Sequence, residues 1–237
     1  MYKYILLFIT ISSSLYASCP SEFEQNSIEV GNMRGSFSGN IGTDDKLELK
    51  NDLDMKKSAN NLSAKLQKGF KNHKFGFKLS KYKYSGKKKL GKDIIFNSEN
   101  FAKSQMISSK LDLIWAKATY RYKIIDGINI GFNLNGLRVK TSINNTKYKK
   151  DLIIPSIAID YKYSITDNMS LNTKISITPY GKNRATDSYA GIAFRLPFRN
   201  CSTLNIGYQT SVLNIESKKY QNNLSYSGLY AGIRFGF

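Results

Sequence analysis

Apolar and polar residues alternate with a period of two along most of the chain. Ile128, Ile130, Phe132 and Leu134 are interleaved with Asn129, Gly131, Asn133 and Asn135. Ile157, Ile159, Tyr161 and Tyr163 alternate with Ala158, Asp160, Lys162 and Ser164, and Leu171, Thr173, Ile175 and Ile177 with Asn172, Lys174 and Ser176. Successive side chains of a strand point to opposite faces, so each such segment sets one face in an apolar medium and the other in a polar one. Ten strands are predicted, near 33–42, 62–70, 74–84, 107–124, 128–143, 152–165, 169–179, 188–198, 202–216 and 223–237. Short turns at 71–73, 125–127, 166–168 and 199–201 alternate with long connections at 43–61 and 85–106 and intermediate ones near 144–151, 180–187 and 217–222.

Short turns at one end, longer loops at the other and an even strand count predict an all-β fold: a closed antiparallel transmembrane β-barrel of about ten strands, with eight as the alternative. An open edge strand has no water to bond with in lipid, so the first and last strands must pair. At the short-turn ends the apolar parity carries Phe70, Phe75, Tyr122, Tyr163, Phe198, Phe235 and Phe237. Rings suit the headgroup boundary, and their grouping at one end predicts a girdle. The last strand places Leu229, Ala231, Ile233, Phe235 and Phe237 at every second position and ends on Phe. This resembles the C-terminal insertion strand of small bacterial outer-membrane β-barrel proteins, and the resemblance covers 33–237. It implies a Gram-negative outer membrane, outer-membrane lipids and lipopolysaccharide as surroundings, the barrel assembly machinery as a partner during insertion, and both termini in the periplasm. It implies no particular activity.

Residues 1–17 carry Lys3, an apolar stretch from Ile5 to Ile11 and then small residues, the layout of a signal peptide cleaved after Ala17. The expected division is therefore 1–17 signal peptide, 18–32 periplasmic segment and 33–237 barrel. Mean hydropathy is −0.38, and beyond the leader no run approaches the ~20 apolar residues of a spanning helix. Lys and Arg number 36 against 17 Asp and Glu, a formal charge of +19. That balance ordinarily suggests nucleic acid, but an exported chain does not meet it, and no nucleic-acid partner is expected.

The charge matters inside the barrel instead. Strict parity turns Arg34, Lys65, Lys78, Lys117, Arg121, Lys162, Lys174, Arg195 and Arg234 inward against Asp160 alone. Asp112 joins them if the awkward run Leu111-Asp112-Leu113-Ile114-Trp115 holds a bulge. Unpaired cations in a confined interior are costly. Water must fill the lumen, an anion must occupy it, or the first long loop, with Asp44, Asp45, Glu48, Asp52 and Asp54, must fold inward as an acidic plug. The second long loop and its approach are basic, with Lys81, Lys83, Lys87, Lys88, Lys89 and Lys92, and face lipopolysaccharide phosphates or host anions.

Catalysis at an outer-membrane barrel needs a base at the outer rim, and the chain's one histidine, His73, falls in a short turn. No enzyme activity and no cofactor or metal are expected. Two cysteines rule out a thiolate-rich metal site; Cys19 and Cys201 both fall on the short-turn side, within reach of a disulfide in an oxidising compartment. The expected role is non-enzymatic, in envelope structure or surface contact. The alternative is a narrow anion-preferring channel or a binder of small ligands or lipids.

Overall fold

A computed structural model of the chain describes residues 25–55, 58–196, 201–217 and 220–237. The leader, Cys19 and Phe198 lie outside the described residues. Thirteen strands follow in chain order: β1 (Ser27–Gly42), β2 (Leu47–Glu48), β3 (Ser58–Phe70), β4 (His73–Lys89), β5 (Ile94–Phe96), β6 (Glu99–Phe101), β7 (Met106–Ile125), β8 (Ile128–Ile143), β9 (Thr146–Thr166), β10 (Met169–Ile177), β11 (Arg184–Arg195), β12 (Ser202–Ser217) and β13 (Tyr220–Gly236). Ten of them form the wall, in the order β13-β12-β11-β10-β9-β8-β7-β4-β3-β1, and β13 pairs antiparallel with β1 to close it. Every strand therefore has two partners, and the barrel has no edge.

The turns follow local chemistry. Asp126-Gly127 joins β7 to β8, with φ +83° at Gly127, and Lys71 adopts φ +50° between β3 and β4. Left-handed positions of this kind match the twist of tight hairpins. At the other end β8 and β9 are joined through Asn144 (φ +51°) and Asn145, so the expected intermediate connection at 144–151 is strand on both sides.

Three expectations are corrected. The barrel begins at Ser27, so residues 27–32 belong to the wall and not to a periplasmic segment. The second long connection is shorter than expected, because β4 runs on to Lys89 and the remainder folds into the β5–β6 hairpin. The bulge expected at 111–115 is absent: register runs unbroken there, and the irregularity in β7 sits at Lys123/Ile125 beside the short turn.

Outside, an apolar belt is set toward the short-turn end. It includes Leu62 and Leu66 on β3, Phe75, Phe77 and Leu79 on β4, Ile130, Phe132 and Leu134 on β8, and Ile153 to Tyr163 on alternate positions of β9. Such a surface is what a bilayer covers. The girdle residues Phe70, Phe75, Tyr122, Tyr163, Phe235 and Phe237 are all exposed on it. The alternating terminal set Leu229, Ala231, Ile233, Phe235 and Phe237 also faces outward.

Inside, the barrel has two halves. The long-loop half holds an apolar core. Met33, Phe37, Ile41, Tyr82, Tyr84, Leu111, Leu113, Trp115, Leu137, Val139, Leu213, Leu224 and Tyr226 project from the wall. The first loop adds Leu47, Leu49, Leu53 and Met55, and the second adds Leu90, Ile94, Phe96 and Phe101. The Phe37 and Tyr84 rings stack with centroids 3.9 Å apart. The short-turn half is polar and open.

Candidate functional site: a cationic cavity under an apolar plug

The plug explains the awkward run in β7. Leu111, Leu113 and Trp115 face the loop leucines, while Ile114 lies on the outer face beside them, so both faces are apolar in one stretch. The first loop does fold inward, but with its leucines; its carboxylates stay at the surface. Asp45 Oδ2 accepts the Ile95 amide at 2.6 Å and Asp44 Oδ2 the Ser98 amide at 3.0 Å, which ties the first loop to the β5–β6 hairpin. Asp52 Oδ2 accepts the Glu48 amide at 2.9 Å. Of the three alternatives for the lumen, the plug is present but apolar in place of acidic, and it neutralises no cation of the lumen.

A polar layer separates the plug from the open half. The Tyr226 hydroxyl donates to Tyr82 at 2.8 Å, and Trp115 Nε1 donates to Asn135 Oδ1 at 3.0 Å. Asn135 donates on to the Ile154 carbonyl and to Ser156, while Asn133 donates to Ser156 and Ser176. Satisfied buried networks of this sort are rigid, because each member loses a partner if it moves.

Below this layer lies a cavity of about 410 Å³, reaching the short-turn mouth at Asp126 and Gly127. Lys65, Lys78, Lys117, Arg121, Lys162, Lys174 and Arg234 line it as parity predicts, joined by Lys74 and Lys123. Two expected members are elsewhere. Arg195 keeps inward parity but lies at the exposed rim and does not line the cavity. Arg34 faces outward, since β1 pairs it with the outward Leu229 and turns Met33 inward. Asp112 likewise faces outward, opposite Lys83 and Lys140.

Four carboxylates answer the nine cations: Glu29, Asp126, Asp160 and Asp187. Glu29 and Asp187 both precede the predicted start of their strands; inward parity finds Asp187 once β11 starts earlier, whereas Glu29 also needs the parity of β1 inverted. Asp187 is saturated by Lys117 Nζ at 2.7 Å, Gln209 at 2.9 Å and Ser211 at 2.5 Å. Arg121 Nε reaches Asp160 Oδ2 at 3.0 Å, and its Nη1 reaches the Asn133 side chain at 2.8 Å. Glu29 accepts from the Tyr230 hydroxyl at 2.6 Å. That ring lies over the paired glycines Gly31 and Gly232; a Cβ on Gly31 would stand 2.1 Å from the Tyr230 oxygen, so any side chain there displaces the ring.

The basic stretch at 81–92 is mostly strand. Lys81, Lys83, Lys87 and Lys89 stand on the outward face of β4 above the belt. Lys88 turns inward and donates to the Asn51 carbonyl, and Lys92 is exposed in the loop. Across the wall the pairing continues Lys83–Asp112–Lys140–Lys149, and one level nearer the belt Lys81–Ile114–Arg138–Asp151. Arg138 Nε and Lys149 Nζ bond Asp151 at 2.8 and 3.0 Å and hold its carboxyl down at about 2, chiefly through the Arg138 hydrogen bond.

His73 opens β4 at the short-turn rim. Its Nδ1 lies 2.9 Å from the Tyr120 hydroxyl and its ring packs against Tyr122, so it extends the girdle. Cys201 sits at the same end, where its carbonyl accepts from the Gly236 amide at 2.9 Å and from Gln25 Nε2 at 3.4 Å. Its expected partner, Cys19, is outside the described residues.

No protein-family model matches the chain, and no curated protein matches it in sequence. Solved structures do. The outer membrane protease OmpT from Escherichia coli superposes with a TM-score of 0.59 at 6% identity, over 95% of this chain and 99% of that one. The translocator domain of the autotransporter NalP from Neisseria meningitidis gives 0.48 at 12%, over 90% and 88%. Neisserial surface protein A gives 0.40 at 13%, over 90% and 97%. At 6% identity the likeness to the OmpT structure is one of fold: the chain has the closed, all-antiparallel architecture of outer-membrane barrels.

Proposed function

We propose that this closed ten-stranded barrel resides in the outer membrane of a Gram-negative cell as a non-enzymatic envelope protein, short turns and termini toward the periplasm, and that its basic collar seats lipopolysaccharide phosphates. The observation that carries the reading is the abrupt change of the outer face on β4, β8 and β9. It passes from Leu79, Leu134 and Ile153 to Lys81, Lys83, Arg138, Lys140, Lys147 and Lys149. Adjacent strands are ~4.8 Å apart, so these cations share one level, where headgroup phosphates lie, and outnumber Asp112 and Asp151 set among them. Charge-assisted bonds to phosphate are the strong kind. A non-catalytic role is supported by the position of His73, among girdle rings at the end away from the collar.

The collar is tested by refolding the full chain into phosphatidylcholine vesicles with and without lipopolysaccharide and measuring the urea midpoint. Lipopolysaccharide should raise the midpoint for the wild type, and the rise should be lost in the Lys83→Gln/Lys140→Gln/Lys149→Gln variant. A rise retained in full by that variant, or none in the wild type, contradicts the reading. Host anionic polymers are the second candidate for the same face and would compete in this assay.

The periplasmic placement also supports a Cys19–Cys201 bridge. Gln25, six residues beyond Cys19, already bonds the Cys201 carbonyl, so a short tether suffices, and the compartment is oxidising. Non-reducing peptide mapping should recover the two peptides joined; both thiols alkylated without reduction, or an acylated Cys19, would rule the bridge out.

A further inference from the structure

Among the described residues the cavity opens toward the short-turn end, because the apolar plug fills the barrel beyond Trp115 and Tyr226. Its charge is also far from balanced: nine cations share four carboxylates. Lys65, Lys78 and Lys117 occupy directly opposed positions on β3, β4 and β7. Opposed side chains in such a ladder stand about 5 Å apart, and like charges there repel. Lys117 is the one of the three with a carboxylate partner, Asp187. Among the described residues Lys65, Lys78 and Lys174 make no ion pair. Lys78 and Lys174 rest instead over the rings of Tyr230 and Tyr189, 5.5 and 5.6 Å from their centroids. Among the described residues the Tyr189 hydroxyl, buried in the same lining, likewise has no hydrogen-bond partner. An orphaned donor and three unpaired ammonium groups therefore converge from β3, β4, β10 and β11 on one space.

We propose that this cavity is a binding site for a small free phosphate-class anion entering from the short-turn mouth. The donor set selects the class. A planar carboxylate is best held by an arginine fork, and the fork of Arg121 is taken by Asp160 and Asn133. The unpaired groups are lysines, compact point charges with rotatable donors, and they approach from several walls. That suits a polyanion presenting acceptors in several directions. The strands separate the lumen from the bilayer, so a solute fits the site and a lipid headgroup, tethered to acyl chains outside the wall, does not.

The full chain, refolded in zwitterionic detergent and phosphate-free buffer with about 150 mM chloride to screen loose surface binding, is titrated with inorganic pyrophosphate in a calorimeter. Saturable one-to-one binding is expected. Lys78→Met and Lys65→Met should each weaken it roughly tenfold or more, and Tyr189→Phe should weaken it measurably. Both Met variants relieve repulsion in the row and should fold, which heat-modifiability on a gel checks. Lys83→Met, on the outer collar, should bind as the wild type does. Absence of saturable binding at millimolar pyrophosphate, equal affinity for succinate, or an equal loss in Lys83→Met would overturn the assignment.

Discussion

Phe132 and Asn133 are neighbours in β8 with opposite surroundings. Phe132 is exposed on the apolar belt, whereas Asn133 is fully buried and bonded to Ser156, Ser176 and Arg121. Phe132→Arg should destabilise the inserted barrel by roughly 2–4 kcal/mol, the cost of a guanidinium near the bilayer midplane. Asn172→Arg, facing the wide mouth of the cavity, should be mild; equal losses in urea unfolding from lipid vesicles would contradict the parity. Asn133 is inward as its alternation implies, yet it is no tolerant site, because burial in a bonded layer is invisible to a two-residue period. The Asp151 carboxyl gives a second residue-scale expectation. Its native value lies near 2, below that of an unfolded Asp, so the collar pair contributes fully above about pH 4 and is lost as pH falls through the native value. An NMR titration should find that carboxyl near 2 in the wild type and raised in Arg138→Ala, where only Lys149 still lowers it; an ordinary value in the wild type contradicts the pairing.

Elements were legible wherever one face meets lipid and the other water. Residues 128–143 were predicted and observed as β8 with the same limits, and the ends of β7 and β12 agree to within a residue. Errors gathered where that contrast fades. The pattern starts β1 six residues late because Ser27 to Asn32 mixes a buried Glu29 with glycine and polar residues. Its parity is inverted as well, because Met33 and Phe37 are apolar toward the plug and not toward lipid, so taking the apolar positions as outward places Arg34 inside. The pattern leaves the outer end of β4 as loop because its outward positions are lysines in place of apolar residues. β7 looked bulged because the plug gives it a second apolar face. Leu53 and Leu111 are fully buried partners in that core, one from the loop and one from the wall. Leu111→Ala or Leu53→Ala should each lower stability by about 2–5 kcal/mol, as expected of a cavity in a packed core. Urea titration of the refolded protein reads this, and a loss under about 0.5 kcal/mol, the range of ordinary surface substitutions, would mean that the loops do not pack in the lumen.

Over the whole molecule, closure and sealing are separate achievements. Closure comes from sixteen aligned residue pairs between β1 and β13, including the abutting glycines Gly35 and Gly228. It follows from the period-two pattern and the demand that no backbone edge meet lipid. Sealing comes from leucines in two loops whose sequence shows charge more plainly than it shows packing. Read by parity alone, the inward cations suggested an anion-preferring path. With the plug in place they line a chamber closed on the long-loop side. Planar-bilayer recording of the refolded wild-type chain, with insertion verified by heat-modifiability, tests this most directly. A sealed outer half predicts no steady conductance above the bare membrane at either polarity; a steady anion-selective current through the wild-type protein would contradict it.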